Sequence, residues 1–172
     1  MGGTHRRFAP SPQSEGGNHL HVDGTYMFKA DRQAVYDLMM SKDALEHCLP
    51  GCEGMEEIGE DRYRATLKIG IAGIKGTYTC TIATTSKVPL ESWTLTVEGQ
   101  SKSGNLKGVG RFTIADKGEE TELAYDGEAD LMGPLAGVGQ RMMGPASRMI
   151  IGKFFECMSG QLAQSGQSTA QS

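Results

Sequence analysis

Between Arg62 and Leu131 the chain alternates apolar and polar residues in run after run, and this alternation limits the fold more than any other feature. Tyr63, Ala65, Leu67, Ile69 and Ile71 form one apolar set, and Tyr78, Cys80 and Ile82 the next. Trp93, Leu95 and Val97 follow, then Leu106, Gly108, Gly110, Phe112 and Ile114, then Leu123, Tyr125, Gly127, Ala129 and Leu131. A period of two sends successive side chains to opposite faces of a strand, so each run has one face to bury and one to leave in water. Turn residues separate the runs at Ala72-Gly73, Pro89, Ser103-Gly104 and Lys117-Gly118. Serial strands of this kind describe an antiparallel meander.

What covers its apolar face must come from the flanks. Leu20–Phe28 alternates briefly and reads as a first strand. Asp31 can cap a helix carrying Val35, Leu38 and Met39, and Ser41-Lys42-Asp43 opens a second with Ala44, Leu45 and Cys48. Leu49-Pro50-Gly51 ends it, because proline disfavours helical geometry in the residue before it and Gly51 supplies turn freedom. At the far end Ile151, Phe155, Met158 and Leu162 share a helical face, with Lys153 and Glu156 off it. The expected order is strand, two short helices, five or six strands and one long helix: an α+β chain whose curved sheet is covered by its last helix. A sheet gripping a helix commonly leaves a cavity between them.

The segment from Leu131 to Met158 holds five of the ten methionines, with five glycines and two prolines. Methionine is unbranched and polarizable and adapts to irregular space. Gly144-Pro145 predicts a break there, leaving Leu135–Met143 as a flap ahead of a firmer helix from Ala146 to Leu162. Two readings stay open: a core helix that tolerates glycine by close packing, and a deformable lid on an apolar cavity. Gly137–Gly144 does not carry the G-x-G-x-x-G spacing or the β-α-β context of a dinucleotide site.

The remaining signals are mostly exclusions. A net charge of −4, with no basic run longer than Arg6-Arg7, speaks against nucleic acid as a partner. His47, Cys48 and Cys52 cluster, but no second ligand pair completes a zinc set, and two small buried hydrophobes around a Pro-Gly turn are the simpler reading. Four scattered cysteines give no disulfide scaffold, so a reducing cytoplasm is the expected setting. No stretch is long and apolar enough to span a membrane. No apolar region follows Arg6-Arg7 to make an export signal, and Arg6 stands where a myristoylation motif needs Ser or Thr. Asp126, Glu128 and Asp130 share the outer face of the last strand and read as a solvated surface. Tyr63, Tyr78 and Tyr125 are the inward polar handles.

Several of these pieces together carry a family resemblance. They are Val35-Tyr36 on the first helix, Asp43-Ala44-Leu45 before CLPGCEG, the strand DRYRA and the glycine-rich GNLKGVGRF. A final helix with Arg141, Arg148 and Phe154-Phe155 completes the set. From about Val22 to Leu162 the chain resembles the carbon monoxide dehydrogenase CoxG family, within the START/polyketide-cyclase superfamily of helix-grip folds. Residues 1–18 are polar and aperiodic and read as disordered, and the polar end 163–172 reads as a loose tail; between them the resemblance implies a helix-grip domain over residues 20–162. It further implies an accessory protein, not a redox component, working beside a molybdenum hydroxylase of the carbon monoxide dehydrogenase type. Its ligand would be a prenylated quinone or a lipid, with peripheral membrane contact. The cavity wall expected from strand parity and the last helix is Leu67, Ile69, Tyr78, Trp93, Leu95, Phe112, Tyr125, Leu135, Val138, Met142 and Met149. Two rivals remain: an assembly factor acting by surface contact over a filled core, and a cyclase- or hydrolase-like enzyme of the same superfamily.

Overall fold

The computed structural model describes residues 18–70 and 74–171. The N-terminal segment expected to be disordered, up to residue 17, and the inward position assigned to Ile71 lie outside the described residues.

Strand β1 (Asn18–Phe28) leads into helices α1 (Arg32–Met39) and α2 (Lys42–Cys48). The Asp31 carboxylate accepts the amide of Ala34 at 2.8 Å, and the Ser41 hydroxyl accepts that of Ala44 at 3.2 Å, so each short helix opens on the cap read from the sequence. Leu49 takes the extended conformation its following proline favours, and Gly51 turns the chain at φ +80°. A Cβ at Gly51 would run into the carbonyl oxygen of Lys68, so glycine is needed there for space as well as for the turn.

The meander follows as β2 (Cys52–Gly59), β3 (Arg62–Ile69), β4 (Gly76–Val88), β5 (Ser92–Ser101), β6 (Gly104–Asp116) and β7 (Thr121–Met132). The sheet order is β1-β7-β6-β5-β4-β3-β2, antiparallel at every pairing, so β1 returns to lie beside the last strand. Strand β2 carries no clear alternation: only Met55 is buried along it, and it is an edge strand with two register shifts against β3. Edge strands are shaped less by burial, and this one left no periodic trace in the sequence.

After β7 a short 3₁₀ turn over Gly133–Gly137 leads into α3 (Gly139–Gln171). The break expected at Gly144-Pro145 therefore falls earlier, at Val138, and the helix runs through Pro145. Proline in a helix removes one hydrogen bond and crowds the Cβ of the residue before it. Here that residue is a glycine with no Cβ, and the ring itself is exposed, so the cost is limited. Helix also occupies nearly all of 163–172, the stretch expected to be a loose polar tail.

The core divides along the length of the sheet. At the end where β1 finishes and α1 begins, Phe28, Val35, Trp93, Ile114, Leu123, Phe155 and Met158 are all but inaccessible to solvent. Their rings interlock: Trp93 stacks on Phe112 at 5.4 Å and meets Tyr36 edge-on at 5.7 Å, while Phe28 meets Phe155 edge-on at 5.9 Å. Buried Thr121 donates its hydroxyl to Ala30 O at 2.7 Å, closing this end. In the same region Cys48 of α2 and Cys157 of α3 form a disulfide, with Cα atoms 5.4 Å apart. This corrects the reading of Cys48 as one of two small buried hydrophobes around the Pro-Gly turn. Residues 109 positions apart leave no spacing signal, and only the docking of α3 on α2 brings them together.

Candidate functional site

The other half of the sheet is not filled. Beneath α3 and the 3₁₀ turn lies a cavity of about 360 Å³ with almost wholly apolar walls. Its location follows from the side chains the sequence supplies. On the inward face of β6 and β7 the central positions are Gly108, Gly110, Gly127 and Ala129, with Gly110 opposite Gly127 and Gly108 opposite Ala129. Four small residues in neighbouring register positions leave a hollow where other inward positions carry a large side chain. Helix α3 rests mainly on β1 and the short helices, and so bridges the hollow rather than filling it.

The wall above this floor is aliphatic. Leu20 and Val22 come from β1, Leu67 and Ile69 from β3, Leu95 and Val97 from β5, and Leu106 and Leu131 from β6 and β7. Leu49-Pro50, Ile74 and Leu135 close over from the loops, and Met143, Ser147, Ile150 and Ile151 line the underside of α3. Tyr78 donates its hydroxyl to Ile74 O at 2.8 Å, which ties the β3–β4 connection to the wall. Phe112 and Tyr125 mark the inner limit, where the aromatic cluster starts.

The residues expected from sequence divide accordingly. Leu67, Ile69, Tyr78, Leu95, Phe112, Tyr125 and Leu135 line the cavity. Trp93 does not: its parity is inward, but it sits at the start of β5 and belongs to the aromatic cluster. Val138 packs against the neighbouring aliphatic core without reaching the wall. Met142 and Met149 are 51% and 47% exposed and point away from the cavity. One residue along a helix is a rotation of about 100°, and the stripe facing the cavity is Met143, Ser147 and Ile150. The small residues of the floor share one parity in the sequence, but parity alone does not show a void. Their register across the two strands is what reveals the hollow.

Chemically the site is quiet. The Tyr78 hydroxyl is engaged as described. Asp126 and Glu128 lie beside the floor in sequence, but their carboxylates are on the outer face, 2.9 Å from His21 and 3.2 Å from His19 respectively. His19 and His21 are part of β1 and pair with the acidic row. Among the described residues no group of three or more His, Cys, Asp or Glu side chains is placed to hold a metal. The thiol of Cys80 is on the wall, and burial pushes it up to about 11, with Cys52 nearby adding to the shift. At neutral pH it is a protonated apolar group rather than a nucleophile. Iodoacetamide at pH 8 is therefore expected to modify half-buried Cys52 in the native protein and to reach Cys80 only after unfolding; rapid native labelling of Cys80 would contradict its burial. Because the folded state holds this proton more tightly than the unfolded chain, its contribution to stability is lost as pH rises from about 9 towards 11.

The model of the carbon monoxide dehydrogenase CoxG family matches residues 24–163, most of the chain. The protein belongs to that family. Among solved structures, a conserved protein from Geobacillus kaustophilus is 33% identical with a TM-score of 0.83, over 85% of this chain and 97% of that one. A START superfamily protein from Mycobacterium smegmatis is similar at a TM-score of 0.67 and 15% identity, covering 86% of this chain and 99% of that one. An aromatase/cyclase from Streptomyces sp. R1128 is similar at a TM-score of 0.59 and 13% identity, over 84% of this chain and 93% of its own. At those identities the likeness establishes the START-like helix-grip fold. No curated protein matches the chain. Among the described residues no helix of this CoxG family member is long and apolar enough to cross a membrane.

Proposed function

We propose that this CoxG family member is a non-catalytic carrier of one small apolar molecule, a prenylated quinone or a lipid, held between the glycine floor and α3. The observation that carries the reading is the cavity itself: an unfilled, apolar-walled space in an otherwise densely packed core. Protein interiors are normally packed with few voids larger than a water molecule, so a hollow of this size asks for an occupant. Its volume equals that of roughly a dozen waters at about 30 Å³ each. That suits a quinone ring with one or two isoprene units, or a short stretch of acyl chain, and a longer tail would have to emerge past Leu49-Pro50 and Ile74. Each methylene buried contributes about 0.8 kcal/mol, so a short tail suffices for useful affinity.

The family name motivates the rest of the proposal, that the carrier serves a molybdenum hydroxylase of the carbon monoxide dehydrogenase type in the cytoplasm. The rival reading of a surface-acting assembly factor expects a filled core, and the cavity weighs against it. The enzyme reading expects an inward group tuned for proton transfer. The Cys80 thiol and the Tyr78 hydroxyl on the wall are instead held protonated at neutral pH, both by burial above all.

Native mass spectrometry of gently purified protein, followed by organic extraction, tests the carrier reading. An adduct of quinone or lipid mass, or one formed on incubation with a short-chain ubiquinone, is the expected result. A bare chain mass under both conditions would return the reading to the assembly factor.

A further inference from the structure

Among the described residues three with hydroxyl groups line the apolar cavity: Tyr78, Tyr125 and Ser147. Tyr78 gives its proton to Ile74 O at 2.8 Å and has no donor left for a ligand. Tyr125 and Ser147 differ, because neither hydroxyl has a hydrogen-bond partner among the described residues. A serine inside a helix commonly turns its hydroxyl back onto the carbonyl one turn before it, and Ser147 does not. No polar side-chain atom among the described residues is both sealed from solvent and unpaired. Both residues are half-buried, so each hydroxyl opens onto accessible space.

The two residues belong to the inner half of the cavity. Tyr125 stands at its inner limit, with its ring 5.5 Å from that of Phe155. Ser147 is at the middle of the roof, between Met143 near the 3₁₀ turn and Ile151 next to the aromatic cluster. Gly24, opposite Tyr125 on β1, makes room for the phenol: a Cβ there would press on Tyr125 Oη at 2.5 Å. The outer half, at Leu49-Pro50, Ile74 and Leu135, offers no polar side chain. Among the described residues no lysine, arginine or histidine lines the wall, so nothing there would offset a buried anionic head.

We infer that Ser147 and Tyr125 determine which ligand the cavity takes, by donating hydrogen bonds to an uncharged carbonyl oxygen at one end of it. The ligand therefore lies head inward, with its hydrocarbon tail towards Leu49-Pro50 and Ile74. This deepens the carrier reading and rests on it. A carbonyl oxygen moved from water into an apolar cavity loses its hydrogen bonds, and a donor already in place restores them. A hydrocarbon end in the same position displaces water from both hydroxyls and returns nothing, so the pair also selects against ligands without oxygen. Tyr125 was expected as an inward polar handle; Ser147 was not, because nothing in its neighbourhood of the sequence records which side of α3 faces the sheet.

Titration of the full chain, read by native mass spectrometry, tests this with ubiquinone-1, methyl laurate and the hydrocarbon farnesene. The first two carry a carbonyl on a ring and on an ester, and the third has no oxygen. Ser147→Ala and Tyr125→Phe each remove a hydroxyl and little else. Each should weaken binding of the carbonyl ligand by about 5-fold, and the pair together by about 30-fold. Farnesene should bind the double variant as well as before or better. Ser159→Ala, on the same helix but outside the cavity, should change no affinity. Thermal unfolding of each variant confirms folding. Of ubiquinone-1 and methyl laurate, the one weakened by both substitutions identifies the head that the cavity takes. Full affinity for both of them in the double variant, or an equal loss of farnesene, would overturn the proposal. Binding of all three ligands without preference rejects the hydroxyl pair alone, and binding of none rejects the carrier reading beneath it.

Discussion

Replacing Cys157 with serine is expected to lower the melting temperature by roughly 10–20 °C. The Cys48–Cys157 disulfide closes a loop of 109 residues, which runs from the last residue of α2 through the whole meander and most of the packed part of α3. Cross-linking a loop of that length removes chain entropy from the unfolded state worth about 4.8 kcal/mol. For a chain of this size each kcal/mol moves the melting temperature by roughly 2–4 °C. The bond also fixes the helix that roofs the cavity to the short helix beside its wall. The same loss is expected when the native disulfide is reduced with dithiothreitol, and the reduced protein should resemble the serine variant. Titration of the denatured, unreduced protein should find two thiols, Cys52 and Cys80. Four thiols, or a melting temperature indifferent to reductant, would mean that Cys48 and Cys157 sit together as unlinked neighbours. The compartment follows from the same titration. Disulfides persist in oxidising surroundings, so two thiols in protein taken directly from cells would count against the cytoplasmic setting proposed above.

The second large effect is on the cavity floor. Gly127→Leu should abolish binding of an apolar ligand, by at least about a hundredfold, while the protein folds as well as before. A Cβ at Gly127 would meet Val109 O at 3.6 Å, Gly110 Cα at 3.8 Å and Val22 Cγ2 at 3.8 Å, all ordinary contacts. Its backbone is not in the left-handed region, so a side chain costs no strain there. The rest of the leucine side chain would extend into the hollow and take the space the ligand needs, while burying apolar surface of its own. Leaving glycine out of a strand interior also removes an entropic cost of about 0.5–1 kcal/mol. Gly108 is a poorer site for the experiment, because a Cβ there would press on Glu128 O at 3.2 Å and Ala129 Cβ at 3.3 Å. Ligand titration and thermal unfolding of Gly127→Leu read the two halves of the prediction separately. Full binding by a folded variant would show that the ligand lies elsewhere, and loss of folding would show that the floor is a packing interface.

Much of the architecture was written in local pattern. Period-two alternation located β1 and β3–β7, and Asp31 and Ser41 marked the starts of the two short helices they cap. Pro50-Gly51 marked the turn that follows, and the spacing of Ile151, Phe155 and Met158 gave the last helix its inner face. Where local pattern was faint, the reading failed for that reason. Strand β2 buries a single side chain and so shows no alternation. Pro145 signalled a break that its neighbouring glycine let the helix absorb.

By itself the sequence determined which faces are apolar, where strands turn and which helix must cover the sheet, because each depends on residues within a few positions of one another. Tertiary structure alone decided how far α3 sits along the sheet and in which rotation. That placement put Met143 inward and Met142 and Met149 outward, and joined Cys48 to Cys157. It also set Gly110 against Gly127 under open space instead of under a side chain. A cavity is a mismatch between two surfaces, and neither surface records the other's shape.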